Sequence, residues 1–139
     1  LVGSPENNFV NMNEAYDKRV LRRLKRAALT AGVTIHEGVY MWFSGPSFET
    51  PSEVKVARML GAHMVGMSLI PEVVLARRLS LNVGALAVVT NFGAGFSGGN
   101  PTHGETTNIA ASGSIVIKRL IRAFLKTGDD RLSGGGARV

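Results

Sequence analysis

Three polar residues, Glu49, Ser68 and Asn91, have side chains that suit hydrogen bonding to a ligand. Each follows the end of a predicted strand, and open α/β sheets bind ligands at the edge where the carboxyl ends of their strands meet. Glutamate can accept two N–H groups and asparagine offers a donor and an acceptor together, so the pair suits a polar heterocycle. Phe48 adds a flat apolar face for a ring. The alternative is an ordinary turn with an exposed acid, because loop carboxylates are usually solvated.

Ser68 gives a modest signal for an anion. It comes just before a predicted helix that opens with Pro71 and Glu72, and free N–H groups at a helix amino end favour phosphate. The glycines at residues 93–98 have a spacing similar to that of a dinucleotide-binding motif. We interpret this as chance, since the next helix starts too far downstream. The sequence contains no serine elbow, no HExxH zinc motif and no Walker phosphate loop.

The elements that must position these residues alternate between strand and helix. The clearest boundary follows Glu49, where Thr50 is a good N-cap, Pro51 fits the first helical position and Glu53 completes a capping box. Strands are predicted at residues 33–43, as one long strand or two short ones, and at residues 63–67 and 84–90. Helices are predicted from an N-cap at Asn13 to Gly32, at residues 50–60 and 70–80, and from Thr106 or Thr107 to Gly128. This order favours a layered α/β domain.

Composition limits the function classes. The chain has 139 residues, of which 45% are hydrophobic, enough for one compact core. It has no cysteine, which excludes disulfides, thiol catalysis and a zinc site built on cysteine, and which favours a cytoplasmic location. No apolar run approaches the roughly 20 residues of a membrane span, so we predict no membrane partner.

The net charge of +6 is concentrated in one segment, because six of the 16 basic residues lie between Lys18 and Arg26. Within this segment the arginines recur at intervals of three and four residues, opposite an apolar stripe. That pattern is typical of a solvated helix face. We therefore predict no nucleic-acid partner.

Several separated motifs resemble one enzyme family. They are Gly45-Pro46-Ser47-Phe48-Glu49-Thr50, Gly61-Ala62, Val65-Gly66-Met67-Ser68, Pro71-Glu72-Val73 and Thr90-Asn91. In this order and spacing they resemble the carboxyl-terminal half of the trimeric, low-molecular-mass purine nucleoside phosphorylases. The resemblance covers residues 1–126, and we expect residues 127–139 to form a disordered tail.

The resemblance implies a phosphorylase-type α/β fold, with a central mixed sheet flanked by helices, of which this chain is a partial domain. It also implies phosphorolysis of 6-oxopurine nucleosides in purine salvage. Phosphate, a co-substrate, attacks the anomeric carbon of the ribose, the purine leaves through an oxocarbenium-like transition state, and no cofactor or metal is needed.

The resemblance further implies a role for each site residue. Glu49 would hold the N1 and N2 side of the purine, and Asn91 would bind N7 and O6 as negative charge builds there. His103 would meet the ribose 5′-hydroxyl. The glycines and the length of residues 92–101 separately predict a loop that orders over bound nucleoside and brings His103 to the ribose. The remaining contacts would come from Phe48, Val65 and Gly66 near the base, from Tyr40 and Met67 in the nucleoside pocket, and from Ser68 on the phosphate.

The resemblance also implies partners and leaves alternatives. Family members are homotrimers, and their amino-terminal half supplies a glycine-rich phosphate loop and basic phosphate ligands that this sequence lacks. One alternative is a methylthioadenosine phosphorylase-like enzyme, although that sister family typically has Asp in place of Asn91 and lacks the Phe48-Glu49 pair. Another alternative is a nucleobase-binding fragment without turnover.

Overall fold

The computed structural model of the chain describes residues 9–96 and 103–127, with the backbone alone at residues 103 and 105–107. The predicted disordered tail lies outside this range beyond Thr127, as does most of the predicted loop at residues 1–11. Four helices and two strands are described: α1 (Lys18–Ala31), β1 (Tyr40–Trp42), α2 (Pro51–Met59), β2 (Met64–Gly66), α3 (Ile70–Arg78) and α4 (His103–Lys126).

Helix α1 begins later than the sequence predicts, so the predicted N-cap at Asn13 is wrong. Asp17 is the N-cap, because its side chain accepts hydrogen bonds from the N–H groups of Arg19 and Val20 at 2.8 and 3.0 Å. A helix cannot begin directly after Asn13, since Glu14 has a positive φ of 53°. The predicted stop is confirmed: Gly32 takes the left-handed conformation that ends the helix.

Strands β1 and β2 form a parallel pair in which Tyr40 lies opposite Met64 and Trp42 lies opposite Gly66. Of the predicted strand at residues 33–43, only the last part pairs. Helix α2 connects the two strands, and its predicted capping box is present: the Thr50 hydroxyl accepts from the Glu53 N–H, and the Glu53 carboxylate accepts from the Thr50 N–H.

The predicted strand at residues 84–90 is wrong, because this segment belongs to no sheet in the described part of the chain. A strand exists only with a hydrogen-bonded neighbour, and the described residues provide none here. The segment instead runs between two helices. A Cβ added to Gly84 would meet Val20 of α1, and one added to Gly113 of α4 would meet Val88. The predicted mixed sheet is therefore represented, among the described residues, by one parallel pair.

The main core lies where α1 packs against α4. Leu24, Ala28, Val33 and Leu120 are buried there, and Leu86 packs on them from the segment at residues 84–90. Helix α4 starts at His103, three residues before the predicted Thr106. The α/β class predicted from the sequence is confirmed, with helices on a parallel strand pair.

The apolar residues of α2 and α3 are buried only in part. In α2, Val54 and Ala57 are buried, whereas Met59 and the following Leu60 are exposed. In α3, Val73 is buried and Leu75 is exposed. Both helices therefore keep large apolar side chains on the surface of the described part of the chain.

Candidate active site

The parallel pairing brings two predicted site segments to the same edge of the sheet. Because Trp42 lies opposite Gly66, the strands end together, and the Phe43 N–H still donates to the Gly66 carbonyl at 2.9 Å. The turn at residues 44–50 and the residues after Gly66 therefore leave the sheet side by side. The structure thus brings together the strand ends that precede Glu49 and Ser68.

Met67 reaches from the second strand end into the first turn. A Cβ added at Gly45 would lie 2.9 Å from the Met67 sulfur, so the methionine occupies the space that the missing side chain leaves. Gly45 also has a positive φ of 69°, a conformation that favours glycine. Phe48, in the same turn, is 45% exposed and keeps an apolar face available.

Glu49 has an unsatisfied acceptor. Its Oε1 atom is shielded from solvent and has no hydrogen-bond partner in the described part of the chain. Leaving a buried acceptor unpaired costs about 1–3 kcal/mol, and more for a charged group. A ligand that donates N–H groups to this oxygen would recover that free energy.

Asn91 is oriented by its neighbours and keeps capacity for a ligand. Thr90 donates from Oγ1 to the Asn91 Oδ1 atom at 2.7 Å, and the Asn91 Nδ2 group donates to the Phe92 carbonyl at 2.9 Å. Each atom of the carboxamide thus uses one of its two hydrogen-bonding positions. The exposed amide still has one donor and one acceptor for a ligand.

The loop after Asn91 lies on the helix that starts after Glu49. A Cβ added at Gly93 would stand 3.0 Å from Val54 Cγ1, and one added at Gly95 would stand 3.0 Å from Pro51 Cβ. These close approaches bring the Asn91 loop to the amino end of α2. The structure therefore places the Glu49 and Asn91 segments in one region, although the strand predicted to carry Asn91 is not formed.

Ser68 lies at the start of a groove beside α3. A cavity of about 440 Å³ is lined by Ser68, Leu69, Glu72, Val73, Ala76 and residues 83–86. Leu69 has a positive φ of 77° and is the N-cap of α3, yet it provides no side-chain hydrogen bond. For a leucine this conformation is strained.

Tyr40 and Gly66 contact each other closely. The Tyr40 hydroxyl forms hydrogen bonds with the backbone of Ser68, and its ring lies over Gly66. The pKa of Tyr16 is raised above its ordinary value. The main cause is the partial burial of Tyr16, and the second is the charge of nearby Tyr40. Val65, in the middle of β2, is partly buried.

His103 is the first residue of α4, and its side chain is outside what the structure describes. Residues 97–102 of the predicted ligand-covering loop also lie outside the described residues. The described part of that loop, up to Phe96, lies beside α2, with the guanidinium of Arg58 5.5 Å from the centre of the Phe96 ring.

A larger cavity of about 720 Å³ lies between α1 and α4 and includes none of the predicted site residues. Four basic residues line it together with Thr30, Ala31, Ile115, Ala123 and Thr127: they are Lys118, Arg119, Arg122 and Lys126. Within the ranges 9–96 and 103–127, no group of three His, Cys, Asp or Glu side chains could hold a metal ion. No helix described in the structure is long and apolar enough to cross a membrane.

A family model described as the phosphorylase superfamily matches residues 2–126. The chain belongs to this superfamily. The match includes every predicted site residue, from Tyr40 to His103.

The chain has relatives within the phosphorylase superfamily that are named as purine nucleoside phosphorylases. Purine nucleoside phosphorylase 1 of Geobacillus stearothermophilus is 34% identical over 118 residues, which are 85% of this chain and 43% of that protein. The 6-oxopurine nucleoside phosphorylase of Pyrococcus furiosus is 38% identical over 117 residues, which are 84% of this chain and 44% of that protein. The chain thus spans less than half the length of these relatives.

Solved structures of this superfamily share the fold. A Schistosoma purine nucleoside phosphorylase in complex with hypoxanthine superposes with a TM-score of 0.82 at 30% identity, over 87% of this chain and 45% of that one. Complexes of Schistosoma purine nucleoside phosphorylase with guanosine and with adenosine give TM-scores of 0.82 and 0.81. The phosphorylase-type fold predicted from the sequence motifs is confirmed.

The sequence interpretation missed one residue that bears on the site. Thr90 orients Asn91, and its hydroxyl directly before the asparagine was the available signal.

Proposed function

We propose that this chain forms the base-binding part of an enzyme that cleaves 6-oxopurine nucleosides with phosphate. The observation that carries the proposal is the shielded, unpartnered Oε1 atom of Glu49 in the region shared with the Asn91 loop. Guanine presents N1–H and the N2 amino group on one edge, and both can donate to a carboxylate. Adenine has no hydrogen on N1, so it would leave the carboxylate oxygen unpaired.

Asn91 acts on the opposite edge of the purine in this proposal. As phosphate attacks the anomeric carbon of the ribose, the bond from that carbon to N9 breaks and its electron pair passes to the purine. The remaining N–H of Asn91 donates to the N7 and O6 edge of the purine, where the negative charge from this electron pair develops. Hydrogen bonds that strengthen as charge develops stabilise the transition state more than the bound substrate.

The other assignments of the resemblance remain part of the proposal. Phe48, Val65, Gly66 and Met67 contact the base or the nucleoside, Ser68 contacts phosphate, and His103 meets the ribose 5′-hydroxyl. The enzyme uses phosphate as co-substrate and no cofactor. We also propose a homotrimer, completed by an amino-terminal half like that of the relatives and located in the cytoplasm.

The specificity is tested with the intact protein, assayed with inosine, guanosine and adenosine in the presence of phosphate. We expect kcat/KM for inosine and guanosine to exceed that for adenosine by on the order of 10²-fold or more, because an unmatched analogue leaves buried polar groups unpaired. Equal or better use of adenosine would contradict the proposal.

The role of Glu49 is tested by Glu49→Gln. This change replaces one carboxylate oxygen with a donor, so we expect the KM for guanosine to rise about ten- to a hundredfold, the value of a hydrogen bond to a charged group. Glu37→Gln is the matched control, because Glu37 pairs with Lys25 on the surface. An unchanged KM in Glu49→Gln would remove Glu49 from the base site.

A further inference from the structure

One hydroxyl group holds both polar backbone groups of Ser68. The Tyr40 hydroxyl donates to the Ser68 carbonyl at 3.2 Å and accepts from the Ser68 N–H at 3.4 Å. Both bonds are long, so each is weak by itself. Together they fix the Ser68 peptide from the neighbouring strand, because Tyr40 belongs to β1 and Ser68 follows β2.

Gly66 makes this contact possible. A Cβ at residue 66 would lie 2.4 Å from the Tyr40 hydroxyl oxygen and 3.1 Å from the Cζ atom of the ring. Any other side chain at residue 66 would therefore push the rigid ring away from β2 and break its bonds to Ser68. The glycine of the Val65-Gly66-Met67-Ser68 motif thus leaves the space that the Tyr40 side chain occupies.

The backbone at Ser68 needs an external support. The next residue, Leu69, has the strained φ of 77°, and α3 has no side-chain cap at its amino end. The only other hydrogen bond that the structure describes for the Ser68 peptide is local, from the Ile70 N–H to the Ser68 carbonyl at 2.9 Å. Strained conformations persist where the surrounding structure determines them, and the Tyr40 hydroxyl provides that constraint.

We propose that Tyr40 is a positioning residue for the phosphate site. Its hydroxyl fixes the Ser68 peptide, and through it the direction in which the Ser68 hydroxyl faces phosphate. This inference rests on the proposed function, because the contact between Ser68 and phosphate is part of it. It gives Tyr40 a different task from lining the nucleoside pocket. A displacement of 1 Å at such a group is enough to change a rate by about 10².

The test compares Tyr40→Phe with Tyr16→Phe in the intact protein. Tyr16 is the matched control, because it is a nearby, partly buried tyrosine whose hydroxyl has no hydrogen-bond partner among the described residues. For Tyr40→Phe we expect the dissociation constant of inorganic phosphate, measured by calorimetry, to rise on the order of tenfold, the value of one or two ordinary hydrogen bonds. The dissociation constant of hypoxanthine should stay within about twofold.

Amide exchange gives a second measurement that does not depend on activity. Loss of the Tyr40 hydroxyl should speed exchange of the Ser68 N–H, and Tyr16→Phe should leave it unchanged. Gly66→Ala keeps the hydroxyl but displaces the ring, so it should weaken phosphate binding and speed the same exchange. It also serves as the test if Tyr40→Phe does not fold.

Two results would overturn the inference about Tyr40 alone. A third result would contradict the proposed role of Ser68 and can be told apart from them. If Ser68→Ala weakens phosphate binding but Tyr40→Phe does not, Tyr40 does not position Ser68. If Tyr40→Phe weakens hypoxanthine as much as phosphate, Tyr40 serves the nucleoside pocket instead. If Ser68→Ala leaves phosphate binding unchanged, the phosphate role of Ser68 fails together with this inference, while the assay with inosine still decides the reaction.

Discussion

Gly93 lies directly against Val54, so that a Cβ on the glycine would stand 3.0 Å from a valine methyl group. This contact joins the loop that carries Asn91 to the helix that begins just after Glu49. The two groups proposed to read opposite edges of a purine are therefore held together through the side of α2. Changes at this contact should alter base recognition without touching either group.

Gly95 also lies against α2, and Gly95→Ala tests how much this contact between the loop and the helix contributes to stability. Gly95 has a φ of 85°, and an added Cβ would also approach Pro51 to 3.0 Å. We expect the free energy of unfolding, measured by denaturant titration, to fall by about 2 kcal/mol, from the cost of the left-handed conformation plus crowding. Hypoxanthine binding should weaken as well.

Gly61→Ala is the control for Gly95→Ala, because Gly61 also has a positive φ, of 89°, but has nothing within 4 Å of an added Cβ. It should lose only the conformational part, about 1 kcal/mol, and keep its affinity for hypoxanthine. Equal losses in the two variants would show that the contact with α2 has no energetic value.

Asn91→Ala should affect the transition state rather than substrate binding. We expect kcat and kcat/KM for inosine to fall together, by on the order of 10²-fold or more, because the amide's hydrogen bonds strengthen as the purine becomes anionic. Asn82→Ala is the control, since Asn82 is an exposed asparagine outside the site. An effect confined to KM would contradict the proposed role.

Asn91→Asp extends this prediction to specificity. A protonated aspartic acid can donate to N7 and accept from an amino group at the six-position, which 6-aminopurines carry and 6-oxopurines lack. We expect the ratio of kcat/KM for adenosine to that for inosine to rise relative to the unchanged protein, as measured by paired assays. A ratio that stays constant would mean that Asn91 does not contact the six-position of the purine.

Much of the local structure follows from local chemistry. The capping box of Thr50 and Glu53 and the stop at Gly32 are confirmed, because each depends on residues a few positions apart. The predicted N-cap at Asn13 is wrong because Asp17 has the same chemistry four residues later, and the positive φ at Glu14 decides between them. Competing caps of equal quality cannot be ranked from the sequence.

Pairing across the chain is harder to predict. Residues 84–90 have the apolar character of a central strand, but a strand needs a neighbour, and none of the described residues supplies one. For the candidate site, the sequence identifies Glu49 and Asn91 by their positions after apolar runs. It does not reveal the contact between Tyr40 and Ser68, which depends on the register of β1 against β2.

Acid should weaken the two helix caps. Hydrogen bonds from the backbone lower the pKa of Asp17 at α1 and of Glu53 at α2 below their ordinary values, mainly through the N–H groups of Val20 and Thr50 respectively. Because the folded pKa is lowered, the stabilisation is present above the unfolded value of about 4. It is lost as the pH falls through the folded value.

The cap effect is measured as the slope of unfolding free energy against pH between about 5 and 2. In Glu53→Gln the glutamine can still complete the capping box, but it does not titrate. We therefore expect the unfolding free energy of this variant to depend less steeply on pH than that of the unchanged protein. Glu72→Gln is the control, because this exposed carboxylate of α3 accepts no hydrogen bond from the described residues. Identical slopes in the two variants would refute a specific contribution from the α2 cap.

The core between α1 and α4 should determine stability. Leu120 is 2% exposed and Leu125, five residues further on the same helix, is 73% exposed. Leu120→Ala should lower the free energy of unfolding by about 2–5 kcal/mol, whereas Leu125→Ala should change it by less than about 0.5 kcal/mol. If Leu125→Ala costs as much, the intact protein buries that face of α4.

Residues 1–139 by themselves should not catalyse phosphorolysis. Ser68 is the only phosphate contact that the motifs assign within the chain, and a single hydroxyl binds a phosphate dianion poorly without cationic groups. The segment at residues 84–90 also leaves apolar surface uncovered, with Val88 37% and Val89 66% exposed, and such surface promotes association. We expect the chain expressed alone to self-associate in sedimentation analysis and to show no turnover of inosine with phosphate. Robust turnover by a homogeneous, monomeric preparation would mean that residues within this chain complete the phosphate site.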